Sequence, residues 1–331
     1  LGSHALTTAA TCIPTATNRA SAPLEVIDFH SHFAGDGFGA DASRGTPPAQ
    51  KAFWDGVTQR LTATDALLAS VDAGRVAGRV VNTSLEFLRE PGEDVPLDTV
   101  RRINDSLAEL TSRHAGFLHG LATVDAYGGE PSARELVRAV KELGLRGVFV
   151  ESAKGDLLPG AAQARPTFEA AAELGVPVFL HPVPDPQLRR RFRGSGKFGE
   201  RLSRGAINGA ALLAMAEAGL FEDLPDLHVV VTALALGGLM AGECLGDGAR
   251  IGRGVPGRRN VYIDTTGMHP VMLRAAVDLL GAEHVVTGTD WPVVVQPDLP
   301  ARLRDLFGAC GFSEEQQQLI ASGNARRLLR L

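Results

Sequence analysis

The chain alternates eight times between short apolar segments and longer amphipathic ones, and this alternation limits the folds that it can adopt. The apolar segments are rich in Val, Ile, Leu and Phe, as expected of strands in a parallel sheet that is buried on both faces. We therefore predict eight strands, over residues 24–30, 79–83, 117–123, 145–151, 177–181, 227–232, 261–264 and 284–288.

The segments between these strands repeat apolar residues at helical spacing. They predict helices over residues 62–73, 97–114, 131–143, 164–174, 205–218, 240–245, 271–280 and 300–307, and the capping-box spacing of Ser313 and Gln316 predicts a last helix. A doubly wound open sheet usually has fewer strands and a glycine-rich first turn, which this sequence lacks. The predicted fold is therefore a single-domain α/β protein, a (β/α)8 TIM barrel.

Two connections are much longer than an ordinary barrel turn, namely residues 33–61 after the first strand and 182–204 after the fifth. Because barrel active sites lie at the carboxyl ends of the strands, we expect two long loops that cover the site. Residues 1–22 are rich in Thr and Ala without an apolar core. We expect them to be a disordered tail that begins with a cloning remnant, and the barrel to occupy residues 23–331.

The amino-acid composition indicates which partners and which cellular compartment to expect. The chain is 44% hydrophobic and 21% charged, with a formal net charge of -5, so nothing favours nucleic acid or an anionic membrane as partner. No apolar run approaches the roughly 20 residues that span a bilayer. The three cysteines are scattered and odd in number, which is typical of a reducing compartment. We therefore predict a cytoplasmic protein.

Three predicted strands end in polar side chains that are costly to bury without partners. His30 and His32 end the first strand, His181 ends the fifth, and Asp290 follows the eighth. Side chains alternate along a strand, so His30 and His32 share a face and can reach one ion. Taken singly, His181 could be a hydrogen-bonded histidine and Asp290 a turn residue. Together the four predict one divalent metal site.

The segments around these residues resemble the metal motifs of the amidohydrolase superfamily. The similarity is greatest to its branch related to aminocarboxymuconate-semialdehyde decarboxylase, and residues 104–109, 168–177, 260–265 and 323–329 also match that branch. The resemblance runs from about residue 24 to 331. It implies a TIM-barrel enzyme in which His30, His32, His181 and Asp290 bind one divalent metal, usually zinc and sometimes manganese.

The sequence departs from this family at one position. Its members usually carry a histidine just after the sixth strand, and in the decarboxylases this histidine is thought to act as acid or base. Here Ala233 and Leu234 occupy that segment. His269, after the seventh strand, is the predicted catalytic replacement beside Asp290, because a proton carrier is needed near the metal. The alternative for His269 is a surface residue at the start of a helix.

Four residues near the predicted barrel mouth are candidates for substrate binding. Lys154 follows the fourth strand, and it could bind a substrate carboxylate or be solvated. Arg189 and Arg191 belong to a basic run in the second long connection, which could attract an anion or simply face solvent. Trp54, in the first long connection, could form an apolar wall or anchor the loop. Asp28 is a candidate to support the metal ligands.

Three functions are compatible with these residues. We favour a metal-dependent lyase of the decarboxylase type, acting on a small carboxylated cyclic or unsaturated acid. The first alternative is a hydrolase that opens an amide, lactone or imide with metal-activated water. The second is a barrel that binds without catalysis, because the histidine after the sixth strand is missing. We expect an acidic small molecule as substrate, no nucleic acid or membrane as partner, and leave a homodimer open.

Overall fold

The computed structural model describes residues 23–90, 93–245 and 260–331. The disordered tail predicted for residues 1–22 lies outside this range. Short parallel strands form the centre of the molecule: β1 (Ile27–Asp28), β2 (Gly78–Val81), β3 (Leu118–Gly120), β4 (Ala122–Thr123), β5 (Val148–Glu151), β6 (Val178–His181), β7 (Val229–Val231), β8 (Val261–Asp264) and β9 (Val285–Val286). Each lies within a predicted strand, except that β2 begins one residue before its prediction.

The strands close into a ring. They are ordered β1-β2-β3 in one sheet and β4-β5-β6-β7-β8-β9 in the other. Only Leu121 separates β3 from β4, and its N–H donates to the Val81 carbonyl at 2.9 Å, so the two are halves of one barrel strand. Between the first and last strands, Phe29 N–H donates to the Thr287 carbonyl at 2.8 Å. The predicted (β/α)8 barrel is therefore confirmed.

Helices surround the strands. They are α1 (Pro48–Thr62), α2 (Thr64–Gly74), α3 (Leu97–Arg113), α4 (Glu130–Lys141), α5 (Arg165–Leu174), α6 (Pro186–Arg191), α7 (Gly196–Glu217), α8 (Leu220–Asp223), α9 (Leu236–Leu245), α10 (Pro270–Leu280), α11 (Leu299–Cys310), α12 (Glu314–Gln318) and α13 (Asn324–Leu329). Ser313 caps α12 in a capping box with Gln316, as the sequence predicted. Over the described residues, no helix is both long and apolar enough to span a membrane.

The two long connections contain helices, where the sequence predicted loops. Helix α1 fills half of the first connection, and α6 with the start of α7 fills much of the second. Helix α1 buries only Val57 and Leu61, and α6 buries no residue. Because few apolar residues are buried, these helices lack the periodic stripe on which a sequence-based prediction depends.

Side-chain alternation along the strands decides which residues reach the site. Phe149 and Phe179 belong to the cluster that fills the barrel interior, and their ring centroids are 5.8 Å apart. The next residues, Val150 and Leu180, belong to the separate cluster that includes the helix side chains. Alternation therefore returns the residues that follow, Glu151 and His181, to the interior side at the carboxyl mouth of the barrel.

Candidate metal centre

Four predicted ligands converge at the carboxyl mouth of the barrel. One ligand atom from each of His30, His32, His181 and Asp290 lies within 4.8 Å of the other three. The Nε2 atoms of His30 and His32 are 3.3 Å apart, and each is 3.4 Å from Asp290 Oδ1. The histidines are buried, whereas the Asp290 side chain is 25% exposed. The cluster is therefore open to solvent on the side of Asp290.

A carboxylate behind His30 fixes the orientation of its ring. His30 Nδ1 lies 2.5 Å from Oδ2 of Asp264, the fully buried last residue of β8. The other oxygen of Asp264 accepts hydrogen bonds from the N–H groups of Ala233 and Thr266 at 2.8 and 3.0 Å. A carboxylate accepts hydrogen bonds, so the proton of a neutral His30 belongs on Nδ1, and Nε2 presents a lone pair.

An amide does the same for His32. His32 Nδ1 lies 2.8 Å from Asn82 Oδ1, and Asn82 Nδ2 donates to the Ser31 carbonyl at 3.0 Å. The second bond fixes which end of the amide faces the ring, so Nε2 of neutral His32 also presents a lone pair. Two such lone pairs and a carboxylate oxygen repel one another at these distances. A cation is the partner that satisfies all three.

The third histidine fits the same interpretation. Nδ1 of His181 is buried and has no hydrogen-bond partner, which is unusual for a polar atom in a protein interior. Burial, together with the neighbouring His32 and His30, lowers the pKa of His181 well below its usual value, so the ring is neutral. Three imidazoles and one carboxylate form a donor set that suits a borderline divalent ion. The residues present therefore fit one divalent metal.

The charges around Asp290 and His30 also favour a cation at this site. Burial raises the pKa of Asp290, but its interactions with His32, His30 and Arg204 outweigh burial, so this pKa lies below its usual value. Burial disfavours protonation of His30, but the adjacent Asp264 outweighs burial and raises the His30 pKa. The space between the four ligands thus attracts positive charge, which a bound metal would supply in place of a proton.

Asp28 connects the first strand, which carries His30 and His32, to the segment after the last strand, which carries Asp290. It ion-pairs with Arg79 at 2.8 Å and accepts hydrogen bonds from the backbone and hydroxyl of Thr289 at 3.0 and 2.7 Å. Asp290, the next residue, has a φ of 67° and donates its N–H to the His30 carbonyl at 2.9 Å. Asp28 therefore supports the ligands by positioning backbone, and none of its hydrogen bonds reaches an imidazole ring among the described residues.

Comparison with known proteins agrees with this geometry. The model of the family described as "Amidohydrolase" matches residues 27–331. This chain belongs to the amidohydrolase family. It is 29% identical over 272 residues to the gamma-resorcylate decarboxylase of Polaromonas sp. strain JS666, covering 71% of this chain and 77% of that one. It is 26% identical over 256 residues to the 2-amino-3-carboxymuconate-6-semialdehyde decarboxylase of Dictyostelium discoideum, covering 71% and 67% of the two chains.

Solved structures share the amidohydrolase fold. A dihydroxybenzoic acid decarboxylase from Polaromonas sp. JS666, with bound manganese and the inhibitor 2-nitroresorcinol, superposes with a TM-score of 0.77 at 25% identity, covering 93% of this chain and 97% of that one. The 5-carboxyvanillate decarboxylase of Sphingomonas paucimobilis has a TM-score of 0.75 at 24% identity and covers 93% and 99% of the two chains. The predicted family is confirmed, and the comparisons favour neither the hydrolase nor the non-catalytic barrel.

The segment that lacks the family histidine is tied to the ligand shell through its backbone. Ala233 is buried at the start of a short 3-10 turn, Ala233–Ala235, and donates its N–H to Asp264. The predicted substitute, His269, is exposed and caps helix α10, where its Nδ1 accepts a hydrogen bond from Val271 N–H at 3.3 Å. This placement matches the surface alternative, and proton transfer by His269 stays a prediction.

The predicted substrate-binding residues lie apart from the ligands. Lys154 ion-pairs with Asp94 and with Asp125, the latter at 2.5 Å. Trp54 is half-buried in α1 and packs its ring against Phe53 at 5.2 Å. Among the described residues, no hydrogen bond, ion pair or ring contact joins either side chain to the four ligands.

The arginines of the second long connection lie in two different environments: some face solvent and one faces the metal centre. Arg189 and Arg191 are exposed on α6, and Arg189 pairs with Glu200 at 3.1 Å. Arg204, further along in α7, is the residue that approaches the metal centre. It donates to the Pro182 carbonyl at 2.7 Å and ion-pairs with Glu86 at 3.0 Å, and its charge lowers the pKa of Asp290. The sequence could not single out Arg204, because its neighbours along the chain are equally basic.

Glu151, the last residue of the predicted fourth strand, also lies at the mouth, paired with His181 of the neighbouring strand. Its side chain is buried, and one carboxylate oxygen forms an ion pair with Arg89. The other oxygen, Oε1, is buried without a hydrogen-bond partner. Burial outweighs the charge of Arg89 and raises the pKa of Glu151 to about 7.

Proposed function

We propose that this amidohydrolase is a metal-dependent decarboxylase of a small carboxylated aromatic acid. The convergence of His30, His32, His181 and Asp290 is the observation that carries the proposal. It is supported by relatives that are decarboxylases and whose similarity extends over most of their length. In the reaction, the bond between the ring carbon and the carboxylate breaks, carbon dioxide leaves, and a proton takes its place on the ring.

The four ligands would hold one divalent ion. We propose zinc, because three imidazoles and a carboxylate suit it, with manganese as the alternative because it is bound in related decarboxylase structures. When bound, the ion supplies positive charge that orients the acid and stabilises charge developing on it. Metal analysis of protein purified without chelator distinguishes the two ions.

The chain must also deliver the proton that replaces carbon dioxide. Ala233 and Leu234 cannot carry a proton where relatives have an imidazole, so we propose that His269 carries it from the side of α10. For His269→Ala we expect turnover to fall at least about tenfold with unchanged metal content, a lower bound, since a general acid typically contributes about 100- to 10,000-fold.

A second variant separates proton transfer from helix capping. His269→Asn keeps a side chain that can accept the hydrogen bond at the start of α10, but it cannot hold a proton at neutral pH. If His269 carries the proton, both variants lose turnover. If the asparagine variant turns over as fast as the wild type while the alanine variant is impaired, His269 is only a cap.

The other substrate contacts are proposed from where the candidate residues lie in the structure. Arg189 and Arg191 are exposed on α6 and would attract an acidic substrate to the mouth. Trp54 would contribute apolar surface from α1. Lys154 is already paired with two carboxylates, so it would bind substrate only by exchanging one of them.

We also propose that the enzyme is cytoplasmic, because its three cysteines are scattered and odd in number. Sedimentation would test whether it forms a homodimer.

A product assay tests the proposed function. The metal-loaded protein is incubated with 2,6-dihydroxybenzoate and with 5-carboxyvanillate, the acids named for its relatives, and both carbon dioxide and the ring product are quantified. We expect equal amounts of carbon dioxide and ring product from at least one acid, and none with the His181→Ala protein. A panel of aromatic acids that gives no carbon dioxide with metal bound would contradict the proposal.

A further inference from the structure

Glu151 lies beside a metal ligand on the same face of the sheet. Glu151 and His181 are paired residues of the neighbouring strands β5 and β6, and Ser152 N–H donates to the His181 carbonyl at 2.8 Å. The pair directly below them, Phe149 and Phe179, fills the barrel interior. Glu151 is therefore in the first layer above the closed core, level with His181.

Aromatic rings place this layer at the edge of the metal centre. The Phe149 ring lies 5.4 Å from that of His181 and 5.6 Å from that of His32. Phe87 packs against the other side of the mouth, 5.9 Å from His32, two residues before the arginine that holds Glu151. Glu151 and Arg89 thus each follow, by two residues, a phenylalanine that packs against the imidazoles.

The two oxygens of Glu151 have different environments. Arg89 and Glu151 are both buried, with 7% and 5% of their surface exposed. Oε2 of Glu151 forms the ion pair with Arg89, whereas Oε1 is buried without a hydrogen-bond partner. An unsatisfied buried carboxylate oxygen is costly, because it has lost its hydration without a replacement. The ion pair prevents the carboxylate from turning outward to recover water. Oε1 is consequently a fixed acceptor without a donor.

We propose that Glu151 determines specificity by accepting a hydrogen bond, through Oε1, from a hydroxyl or amino group on the ring of the substrate. This inference rests on the proposed function and deepens it, since it restricts the substrate to an aromatic acid with such a donor. Arg89 is the positioning residue that holds the acceptor in place.

Two other occupants fit the geometry less well. A second carboxylate of the substrate would be repelled by Glu151, because Arg89 neutralises only one negative charge. A metal ion would need further ligands, and the described residues form a single metal-binding group, to which Glu151 does not belong. A neutral donor group satisfies Oε1 without adding charge.

The test measures binding, so that it does not depend on turnover. Metal-loaded protein is titrated calorimetrically with 2-nitroresorcinol, 2-nitrophenol and 3-methoxy-2-nitrophenol, at a pH at which Glu151 is ionised. The nitro group stands in for the carboxylate and cannot leave, and the second and third probes lack one hydroxyl donor. We expect the wild type to bind 2-nitroresorcinol at least about tenfold more tightly than either, the difference typical of a hydrogen bond to a charged group.

Glu151→Gln keeps the size of the side chain but removes its charge, and should reduce that preference to less than about threefold. Glu90→Gln, at an exposed carboxylate next to Arg89, is the matched control and should keep the full preference. A wild type that binds all three probes equally overturns the inference without any variant, as does a Glu151→Gln protein that keeps the preference. A wild type that binds none of the three contradicts the proposed function as well.

Discussion

At the scale of single residues, each imidazole of the first strand is oriented by a partner from a neighbouring strand. Asp264 of β8 faces the His30 ring, and Asn82, just after β2, faces the His32 ring. The ligands themselves were predictable, since histidine and aspartate at the ends of apolar strands need partners. Asp264 and Asn82 were not predictable as partners of these rings, because which strand end meets which ring depends on closure of the barrel.

Removing the charge behind His30 should weaken metal binding. In Asp264→Asn the amide oxygen would stay with the N–H groups of Ala233 and Thr266, so its NH2 group would face His30 Nδ1 and no longer favour a proton there. Outer-shell changes of this kind cost about 10- to 100-fold in metal affinity. We expect a loss in this range in a competition titration against a chelator. Asp278→Asn, on the exposed side of α10, is the control. Equal affinities of wild type and Asp264→Asn would show that the tautomer of His30 is set by other groups.

At the scale of elements, helix α7 is anchored to the barrel mouth by one arginine. Arg204 connects α7 to the carbonyl that follows His181 and to Glu86, which belongs to the 3-10 turn Leu85–Phe87 after β2. The sequence predicted a helix beginning at residue 205, whereas α7 begins at Gly196. The extra turns are polar and anchored by ion pairs, so apolar periodicity could not reveal them.

Loss of this anchor should destabilise the protein measurably. Arg204→Met leaves Glu86, whose side chain is 14% exposed, without its cation. Breaking a largely buried ion pair in this way should lower the free energy of unfolding by about 2–3 kcal/mol, somewhat less than for a fully buried pair. Arg189→Met, at an exposed ion pair of the same connection, should change it by less than about 0.5 kcal/mol. Urea denaturation of both variants checks this difference, and equal losses would show that Arg204 is not the anchor.

At the scale of the whole molecule, the barrel fold followed from the order of the segments, and the chemistry lies at one end of it. The eight strands were predictable because each is buried on both faces and nearly all apolar. Partners that come from distant segments were not, and they include Arg89 for Glu151 and the two carboxylates for Lys154. A sequence shows which polar residues end strands, whereas the pairing of residues from different loops depends on how the chain folds.

A histidine inside the fold should limit the stability of the molecule in acid. Burial, with the charges of Arg146 and Arg326, lowers the pKa of His119 to about 4. In the unfolded chain this histidine binds a proton near pH 6.5, so stability is complete above that pH and falls as the pH drops toward the folded value. Its contribution is at most about 3 kcal/mol. Between these two pH values the free energy of unfolding should change less steeply with pH for His119→Gln, and an unchanged slope would exclude His119 as the cause.

The most direct test of the central claim is to titrate metal-stripped protein with a divalent ion while recording decarboxylation. We chose Mn(II), which is bound in related decarboxylase structures, with 2,6-dihydroxybenzoate as the acid. If His30, His32, His181 and Asp290 form one metal centre on which turnover depends, carbon dioxide release should be absent without metal. It should then rise linearly and stop rising at one equivalent of metal per chain. Release that persists in the stripped protein, or that needs two equivalents, would contradict this account.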